Sequence, residues 1–206
     1  MLNQSCYSFI ENLSSKEPVP GGGGASAYVA SIGVALGRMV GNLTIGKKKY
    51  AEVEEDIQVL LVQAEVLTGK LNELVKEDAE AFFPLSKAYG MPVSTEEERK
   101  EKDRVLQMAL KEAARVPMEI ARTCVEAIVL HDEMAEKGSR LVISDVGCGV
   151  IFCKSALQGA RMNVLINLKL MNDEVQKAHM YREIEELMEK GCRLADEIYS
   201  YVESQL

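Results

Sequence analysis

A carboxylate lies on the apolar stripe of the most regular helical pattern in this sequence. Apolar residues recur at alternating steps of four and three before Asp78 and resume after it. These residues are Val53, Ile57, Leu60, Ala64, Leu67, Leu71, Leu74, Phe82 and Leu85. Burial disfavours the charged form of a carboxylate and moves its pKa toward the range useful for proton transfer. The pattern therefore predicts a catalytic acid or base at Asp78. The alternatives are a salt-bridged structural aspartate and a helix that rotates its face near this residue.

A run of four glycines, Gly21, Gly22, Gly23 and Gly24, precedes a long apolar segment. Glycine has the most backbone freedom to lose on folding, so such a run is kept where φ is positive or where another group must approach closely. A helical pattern follows at once. The run is therefore predicted to present backbone N–H groups at a helix N-terminus, where they can bind a polar ligand.

Three lysines, Lys47 to Lys49, close the apolar segment that follows the glycines. The chain as a whole is acidic, with a net charge of −8. Lys47 and Lys48 would therefore form a local landing site for an anionic ligand. The alternative is a solvated turn, because positive charge is favourable at a helix C-terminus.

Two asparagines, Asn163 and Asn167, lie one helical turn apart and share a face with Ala156 and Ala160. Buried amides need hydrogen-bond partners, so this pair either braces the neighbouring backbone or meets a polar ligand. His131 lies near the predicted end of another helix, where it would be a proton shuttle, a cap or a surface residue.

The periodicity predicts six helices and no β-hairpin. In chain order they run from about Asn3 to Ser14, Ala25 to Gly46, Lys49 to Ala88, Thr95 to near His131, Ser144 to Met171, and Asn172 or Asp173 to the C-terminus. Thr95 and Glu98 form a predicted capping box, and Ser144-Asp145 is the predicted N-cap of the fifth helix. Pro117 is expected to kink or divide the fourth. The second and fifth helices carry few charges and many small residues, which predicts a central pair in an up-and-down bundle.

The 206 residues predict one domain over residues 1–206. A composition of 47% hydrophobic and 27% charged residues is typical of a soluble globular protein. The acidic balance argues against a general nucleic-acid binder. The small-residue spacing of the second helix also occurs in membrane helices, but the uncharged run before Arg38 is about a dozen residues, too short to span a bilayer.

Five cysteines lie far apart with no C-x-x-C pair, and no signal segment is recognisable at the N-terminus. These features predict a reduced, cytoplasmic protein. Neither His131 nor His179 is spaced as a ligand with a cysteine, so no metal site is expected. No strand precedes the glycines, and no Ser or Thr follows Gly46-Lys47-Lys48, which argues against a dinucleotide fold and a P-loop.

Several short segments together resemble the cyclodeaminase/cyclohydrolase family of folate enzymes. In chain order these are Pro20 to Gly23, Met39-Val40, Asn42-Leu43-Thr44, Lys47-Lys48, Asp78-Ala79, Ala81-Phe82, Ala113 to Pro117, Ser144-Asp145-Val146, Asn163-Val164 and Asn167. They extend in the family's order from about Phe9 to Asp173. One departure is Gly24, where members often have serine; Ser26 lies close by.

The resemblance implies an all-α, homodimeric bundle that acts on one-carbon derivatives of tetrahydrofolate without a metal or redox cofactor. Asp78 is then the expected acid/base. The expected substrate contacts are Gly21, Gly22, Gly23, Gly24, Ser26, Asn42, Lys47, Lys48, Asp145, Asn163 and Asn167. The glycine amides would bind the pterin or the carboxylate end of the substrate, and the lysines its glutamate tail. Asp145 and the two asparagines also have purely structural interpretations, as a cap and as braces.

Two activities fit the family and the residues. A methenyltetrahydrofolate cyclohydrolase adds water to the methenyl carbon, whereas a formiminotetrahydrofolate cyclodeaminase uses N10 to displace ammonia. Both need proton transfer between heteroatoms. The free-standing cyclohydrolase is the expected form, because no formiminotransferase domain is present in the sequence. A folate-binding or structural helical dimer without turnover is the alternative of another class, and association with other one-carbon enzymes is left open.

Overall fold

The computed structural model describes Leu2 and residues 4–206, and its regular elements are helices. The bounds are α1 Cys6–Leu13, α2 Gly22–Asn42, α3 Glu54–Tyr89, α4 Glu96–Lys137, α5 Ile143–Lys169 and α6 Glu174–Glu203. Short 3-10 turns, Lys48–Val53 and Arg140–Val142, precede α3 and α5. The predicted all-α bundle of six helices is confirmed. The first helix was expected to begin at Asn3, which lies outside the described residues.

Helices α2 and α5 form the closely packed pair that their small residues predict. Gly22 lies beside Asn163, and Gly33 lies beside Gly149 and Cys153, so the two helices run antiparallel. Helix α4 shares the centre of the bundle, because it packs on α2, α3, α5 and α6. The central pair is not buried all round, since Ile32 of α2 and Ile166 of α5 are exposed.

Helix α5 with the turn before it, Arg140–Lys169, is the one segment of the described chain that is long and apolar enough to cross a membrane. An 18-residue stretch of this segment has a mean hydropathy of 1.4, and 44% of that stretch is buried inside the bundle. The buried part packs on α2, α4 and α6. This distribution is that of a bundle helix with one uncovered face.

Pro117 was expected to kink or divide the fourth helix, and the division is wrong, since α4 continues through it from Glu96 to Lys137. Proline has no backbone N–H, so the carbonyl of Ala113, four residues earlier, loses its usual helical donor. The side-chain Nδ2 of Asn167 on α5 donates to that carbonyl at 2.8 Å. A neighbouring helix thus replaces the missing hydrogen bond and keeps α4 continuous.

The helix starts were predicted unequally well. The capping box is confirmed, because Thr95 Oγ1 accepts from the Glu98 amide and the Glu98 carboxylate accepts from the Thr95 amide. The predicted N-cap at Ser144-Asp145 is wrong, since α5 already begins at Ile143 without a side-chain cap. The preceding 3-10 turn leads directly into the helix and places Asp145 in its first turn, where a negative charge is favourable.

The stripe of α3 is buried as predicted along most of its length. Ile57, Leu71 and Leu74 are in the main core. Beyond Asp78 the same face continues into a small second cluster, formed by Leu85 with residues of α4 and contacted by Phe82. Asp78 thus lies between two apolar clusters.

Candidate active site

A cleft of about 200 Å³ opens at the end of the bundle where α2 begins. Helices α2, α3, α4 and α5 and the segment before α2 contribute to its walls. The lining residues are Pro18, Val19, Gly21, Gly22, Gly23, Asp78, Phe82, Ala113, Pro117, Asn163, Ile166 and Asn167. Asp78 is the one ionisable side chain among them. The cleft therefore combines a single carboxylate with amides and apolar walls.

The Asp78 carboxylate is held by one backbone hydrogen bond. Its Oδ2 accepts from the Gly24 amide at 2.8 Å. Burial raises the pKa of Asp78 above its usual value of 3.8, and the Gly24 N–H offsets this only in part. No cation of the described residues forms an ion pair with Asp78, so the salt-bridged alternative is wrong. The rotated-face alternative is also wrong, since Leu85 on the same stripe is buried.

The glycine run forms the start of α2 and lies against this carboxylate. Gly21 is the extended N-cap residue, with φ −118° and ψ −164°, and α2 begins at Gly22. The run has no positive φ, so close approach is the reason for glycine here. A Cβ on Gly23 would lie 2.6 Å from Asp78 Cγ. Among the described residues, no acceptor binds the amides of Gly22 and Gly23, which leaves two N–H donors at the cleft.

Asn163 and Asn167 both line the cleft and both brace backbone. Asn163 Nδ2 donates to the Gly159 carbonyl at 2.9 Å. Asn167 Nδ2 donates to the carbonyls of Ala113 and Asn163, each at 2.8 Å. Their side-chain oxygens accept no hydrogen bond from the described residues. The bracing interpretation is thus correct for the NH₂ groups, while the oxygens remain available to a ligand.

Ser26 is close to the cleft but does not line it. Its hydroxyl donates to the Gly22 carbonyl at 2.7 Å, one turn back along α2. The side chain is buried against Gly159 of α5. Its present hydrogen bond therefore stabilises the first turn of α2 and the contact with α5.

Several lining residues were not singled out as site residues from the sequence. Phe82 and Ile166 form apolar walls, and Pro18 and Val19 lie on the entering chain. Helical spacing could have found the first two, because Phe82 follows Asp78 by one turn and Ile166 follows Asn163 by three residues. An aromatic ring beside a carboxylate is a suitable surface for a flat heteroaromatic ligand.

The other predicted contacts lie far from the cleft within one chain. Asn42 ends α2 and Lys47 and Lys48 follow it, whereas the cleft is at the first turn of the same helix. The 21 residues of α2 separate these ends by about 30 Å. Asp145, at the first turn of the antiparallel α5, lies at the lysine end. The chain therefore brings together the glycines, Asp78 and the asparagines but not these four residues.

His131 is neither a cap nor a surface residue. It is fully buried where α4 meets the α2–α5 pair. Its Nδ1 lies 2.7 Å from the Ala127 carbonyl and its Nε2 lies 3.0 Å from the Gly33 carbonyl. It does not line the cleft, so a proton-shuttle role there has no geometric support.

The fold and the cleft define an all-helical protein with a candidate acid/base site. The family model described as formiminotransferase-cyclodeaminase matches residues 5–186. The chain belongs to this family, and the resemblance predicted from the sequence is confirmed.

Relatives and a solved structure support the same assignment. The chain is 40% identical over 204 residues to the methenyltetrahydrofolate cyclohydrolase of Methylorubrum extorquens, with 99% of this chain and 98% of that protein covered. It is 31% identical to the formimidoyltransferase-cyclodeaminase of Mus musculus, with 93% of this chain and 35% of that protein covered. The crystal structure of formiminotetrahydrofolate cyclodeaminase from Thermotoga maritima matches with a TM-score of 0.82 at 33% identity, covering 100% of this chain and 96% of that one. The chain thus spans about a third of the mouse protein and nearly all of the other two.

Proposed function

We propose that this chain is a methenyltetrahydrofolate cyclohydrolase, which converts 5,10-methenyltetrahydrofolate to 10-formyltetrahydrofolate. One observation carries the chemistry: a carboxylate with a raised pKa lies in a small polar cleft at a helix N-terminus. The end-to-end similarity to a protein of that name supports the choice of substrate.

Asp78 acts as the acid/base in this proposal. Its carboxylate takes a proton from water as the water oxygen bonds to the methenyl carbon. Protonated Asp78 then gives this proton to N5 as the bond from carbon to N5 breaks, and its carboxylate takes the hydroxyl proton as the formyl C=O forms. That last proton passes to solvent, because the positive charge of the methenyl group is lost in the formyl product. A raised pKa suits this exchange, because the group must both accept and return a proton near neutral pH.

The other cleft residues would position the reacting ring. The Gly22 and Gly23 amides donate to ring or formyl oxygens, and the oxygens of Asn163 and Asn167 accept from ring N–H groups. Phe82 offers an apolar face for stacking. A cleft of about 200 Å³ is smaller than a typical drug-sized site. It therefore holds the pterin and one-carbon unit, while the remainder of the folate extends outward.

Formiminotetrahydrofolate cyclodeaminase is the second candidate. The match to a solved structure of that name favours it. The same carboxylate would move a proton to the leaving ammonia as N10 attacks the formimino carbon. The chemistry of the cleft suits both reactions, so the assay must separate them.

A paired assay on the purified chain tests these candidates. Loss of methenyltetrahydrofolate absorbance, corrected for spontaneous hydrolysis, is measured beside ammonia release from 5-formiminotetrahydrofolate. Methenyl turnover without ammonia release is the expected result, and the reverse would assign the cyclodeaminase. Silence in both assays with folate binding retained would identify a non-catalytic folate-binding dimer.

The proposal also covers the oligomeric state of the protein, its location in the cell and its need for a cofactor. A homodimer is supported by the apolar faces that α2 and α5 leave exposed. A cytoplasmic location is supported by five cysteines that are all free thiols. Catalysis without a metal or redox cofactor is proposed because both reactions consist of additions, eliminations and proton transfers.

A further inference from the structure

Two prolines lie inside helices of this protein, Pro84 in α3 and Pro117 in α4. A proline has no backbone N–H, so each leaves the carbonyl four residues earlier without its helical donor. These carbonyls belong to Glu80 and Ala113. They obtain replacement donors in different ways, because one lies on the surface and the other inside the bundle.

The carbonyl that Pro84 leaves without a helical donor is on the outer side of α3. Glu80 and Pro84 are both exposed, so water can donate to this carbonyl. Pro84 does not line the cleft. This proline therefore needs no partner from the rest of the protein.

The carbonyl that Pro117 leaves without a helical donor is inside the bundle. Ala113 and Pro117 are both buried, and both contribute to a wall of the cleft. A buried carbonyl without a donor is unfavourable. The Nδ2 atom of Asn167 on α5 supplies the donor at 2.8 Å. The bundle thus satisfies this carbonyl with a side chain that itself lines the cleft.

The amide of Asn167 is held in one orientation by two hydrogen bonds. Besides the bond to Ala113, its Nδ2 donates to the Asn163 carbonyl at 2.8 Å, so both of its hydrogens are used. The opposite orientation would place the side-chain oxygen against two carbonyl oxygens with no hydrogen between them. Asn167 therefore offers the cleft its oxygen, which is a hydrogen-bond acceptor.

Asn163 gives the same wall of the cleft the same polarity. Its Nδ2 donates to the Gly159 carbonyl at 2.9 Å, which leaves its oxygen as the second acceptor. The wall formed by the start of α2 instead presents the N–H groups of Gly22 and Gly23. A ring that fits between these walls must carry N–H groups toward α5 and acceptor atoms toward α2.

We propose that Pro117 is a positioning residue for substrate recognition. By withholding the helical donor from the Ala113 carbonyl, it holds the Asn167 amide with its oxygen toward the cleft. The site then selects a heterocycle with an N–H-bearing edge, such as the pyrimidine edge of a pterin. The inference rests on the proposed folate function for the identity of that ring, and on the hydrogen bonds for the orientation of the amide.

Pro117→Ala tests this role because it returns an N–H to α4. The Ala113 carbonyl then shares its two lone pairs between its own helix and Asn167, so the amide is held less tightly. Half a turn of the amide presents its NH₂ group to the N–H groups of the ligand. We expect KM to rise by about tenfold, equivalent to one hydrogen bond to a ligand, with kcat changed by less than about twofold.

Pro84→Ala is the matched control. It makes the same substitution inside a helix, but the carbonyl concerned is exposed and holds no side chain of the cleft. We expect its KM and kcat to equal those of the wild type. Neither variant should lose stability, because alanine favours a helix interior over proline, and thermal unfolding checks this. An equal rise of KM in both variants would overturn the proposal.

A double-mutant cycle tests whether Pro117 acts through Asn167. Asn167→Ala alone should raise KM by about tenfold and lower stability, since the Ala113 carbonyl loses its donor. Adding Pro117→Ala should leave that KM unchanged, because no amide remains to be oriented, and should restore stability. Multiplied losses of affinity in the double variant would mean that Pro117 acts independently, which would overturn the proposal.

Nuclear magnetic resonance tests the orientation of the amide without any assay of activity. In protein labelled with nitrogen-15 asparagine, the side-chain signal of Asn167 is the one that Asn167→Ala removes. Its NH₂ hydrogens should exchange with water slowly in the wild type and in Pro84→Ala, and about tenfold faster in Pro117→Ala. Equal exchange in all three proteins would overturn the proposal. A wild type with slow exchange but no folate turnover would contradict only the proposed function.

Discussion

Asp78 on α3 and His131 on α4 are titratable side chains that both pack against glycines of the α2–α5 pair. They differ in whether their polar atoms reach the cleft. Both meet glycines so closely that a Cβ would not fit: Gly23 at Asp78, and Gly149 at His131. Asp78 has one backbone hydrogen bond and opens on a cleft. His131 is fully buried, with a carbonyl at each ring nitrogen.

The difference teaches which buried titratable groups can act on a ligand. Close glycine packing is common to both places, so it does not by itself indicate a site. The two places differ in whether the polar side-chain atoms already have hydrogen-bond partners within the protein. Asp78 keeps a carboxylate oxygen available at the cleft, whereas both nitrogens of His131 contact the protein's own backbone. We therefore expect changes at Asp78 to alter turnover and changes at His131 to alter stability.

Asp78→Asn should have the largest effect on turnover. The amide can still accept from the Gly24 N–H, but it cannot exchange a proton, so we expect kcat to fall by about 10²–10⁴-fold. Since a buried carboxylate is replaced by a neutral group, the free energy of unfolding at neutral pH should stay equal or rise by up to about 1 kcal/mol. Initial rates and denaturant unfolding measure the two effects.

The pH profile provides the control for this variant. If Asp78 accepts the proton of water, kcat/KM of the wild type falls as pH drops through the pKa of Asp78, which burial raises above 3.8. Residual activity of Asp78→Asn should lack that limb. An unchanged acid limb in the variant would assign the titration to another group.

Gly23→Ala and Gly149→Ala are a matched pair of variants that tests whether Asp78 affects turnover and His131 affects stability. The Cβ at residue 23 displaces the Asp78 carboxylate, so we expect about a hundredfold loss in kcat/KM, with stability changed by no more than about 1 kcal/mol, because alanine favours the helix. The Cβ at residue 149 would lie 2.9 Å from the Gly33 carbonyl and should cost about 1–3 kcal/mol. Activity per folded molecule should persist in Gly149→Ala; similar losses of activity in both variants would remove the distinction.

The pH dependence of stability should have opposite sign for the two groups. Burial lowers the pKa of His131 below 6.5 despite the two carbonyls, so its neutral form is the native one. The folded state then binds fewer protons than the unfolded chain, and the free energy of unfolding falls as pH drops below about 6.5, by at most about 1.4 kcal/mol per pH unit. Asp78, with its raised pKa, instead reduces stability as pH rises above 3.8.

Unfolding curves at a series of pH values separate these contributions. His131→Gln should be less stable than the wild type near neutral pH and should show a smaller loss on acidification between pH 6.5 and 5, which are rough limits for the neutral-to-charged change of an unfolded histidine. A slope that is the same in His131→Gln and wild type would mean that another group titrates there.

Asn163→Ala should have the smallest effect. It removes an amide oxygen from the cleft and a bond to the Gly159 carbonyl, which the helix can supply itself. We expect KM to rise by about tenfold, equivalent to one hydrogen bond to a ligand, with kcat nearly unchanged. Steady-state kinetics separate the two constants, and Asn172→Ala, outside the cleft, is the control. A fall in kcat as large as that of Asp78→Asn would instead place Asn163 in the chemical step.

Local patterns in the sequence predicted the parts of the site that one helix determines. The α3 stripe was sufficient to predict that Asp78 faces the bundle, because helical periodicity reports burial directly; its catalytic role stays a prediction. The glycine run predicted amides at a helix start for the same local reason. The two asparagines shared a predicted face, and the structure places both at the cleft.

Features that depend on a second helix were not predictable from one segment. The burial of His131 depends on the glycines of α2 and α5, which lie far from it in the chain. The distance of Lys47 from Asp78 follows from the direction of α2, which no motif specifies. At Pro117 the helix loses one backbone hydrogen bond, as the sequence predicted. The side chain of Asn167, on another helix, replaces the lost donor, and this could not be predicted from the α4 segment.

The bond between Asn167 and Ala113 has a consequence for how this family could diverge. A residue with an N–H at position 117 would restore the helical donor to the Ala113 carbonyl, which has two lone pairs and would then share them with the Asn167 amide. The contact between α4 and α5 would no longer be needed to satisfy that carbonyl. Asn167 would then be less strictly required at its position, so a change at 117 would make a later change at 167 less costly.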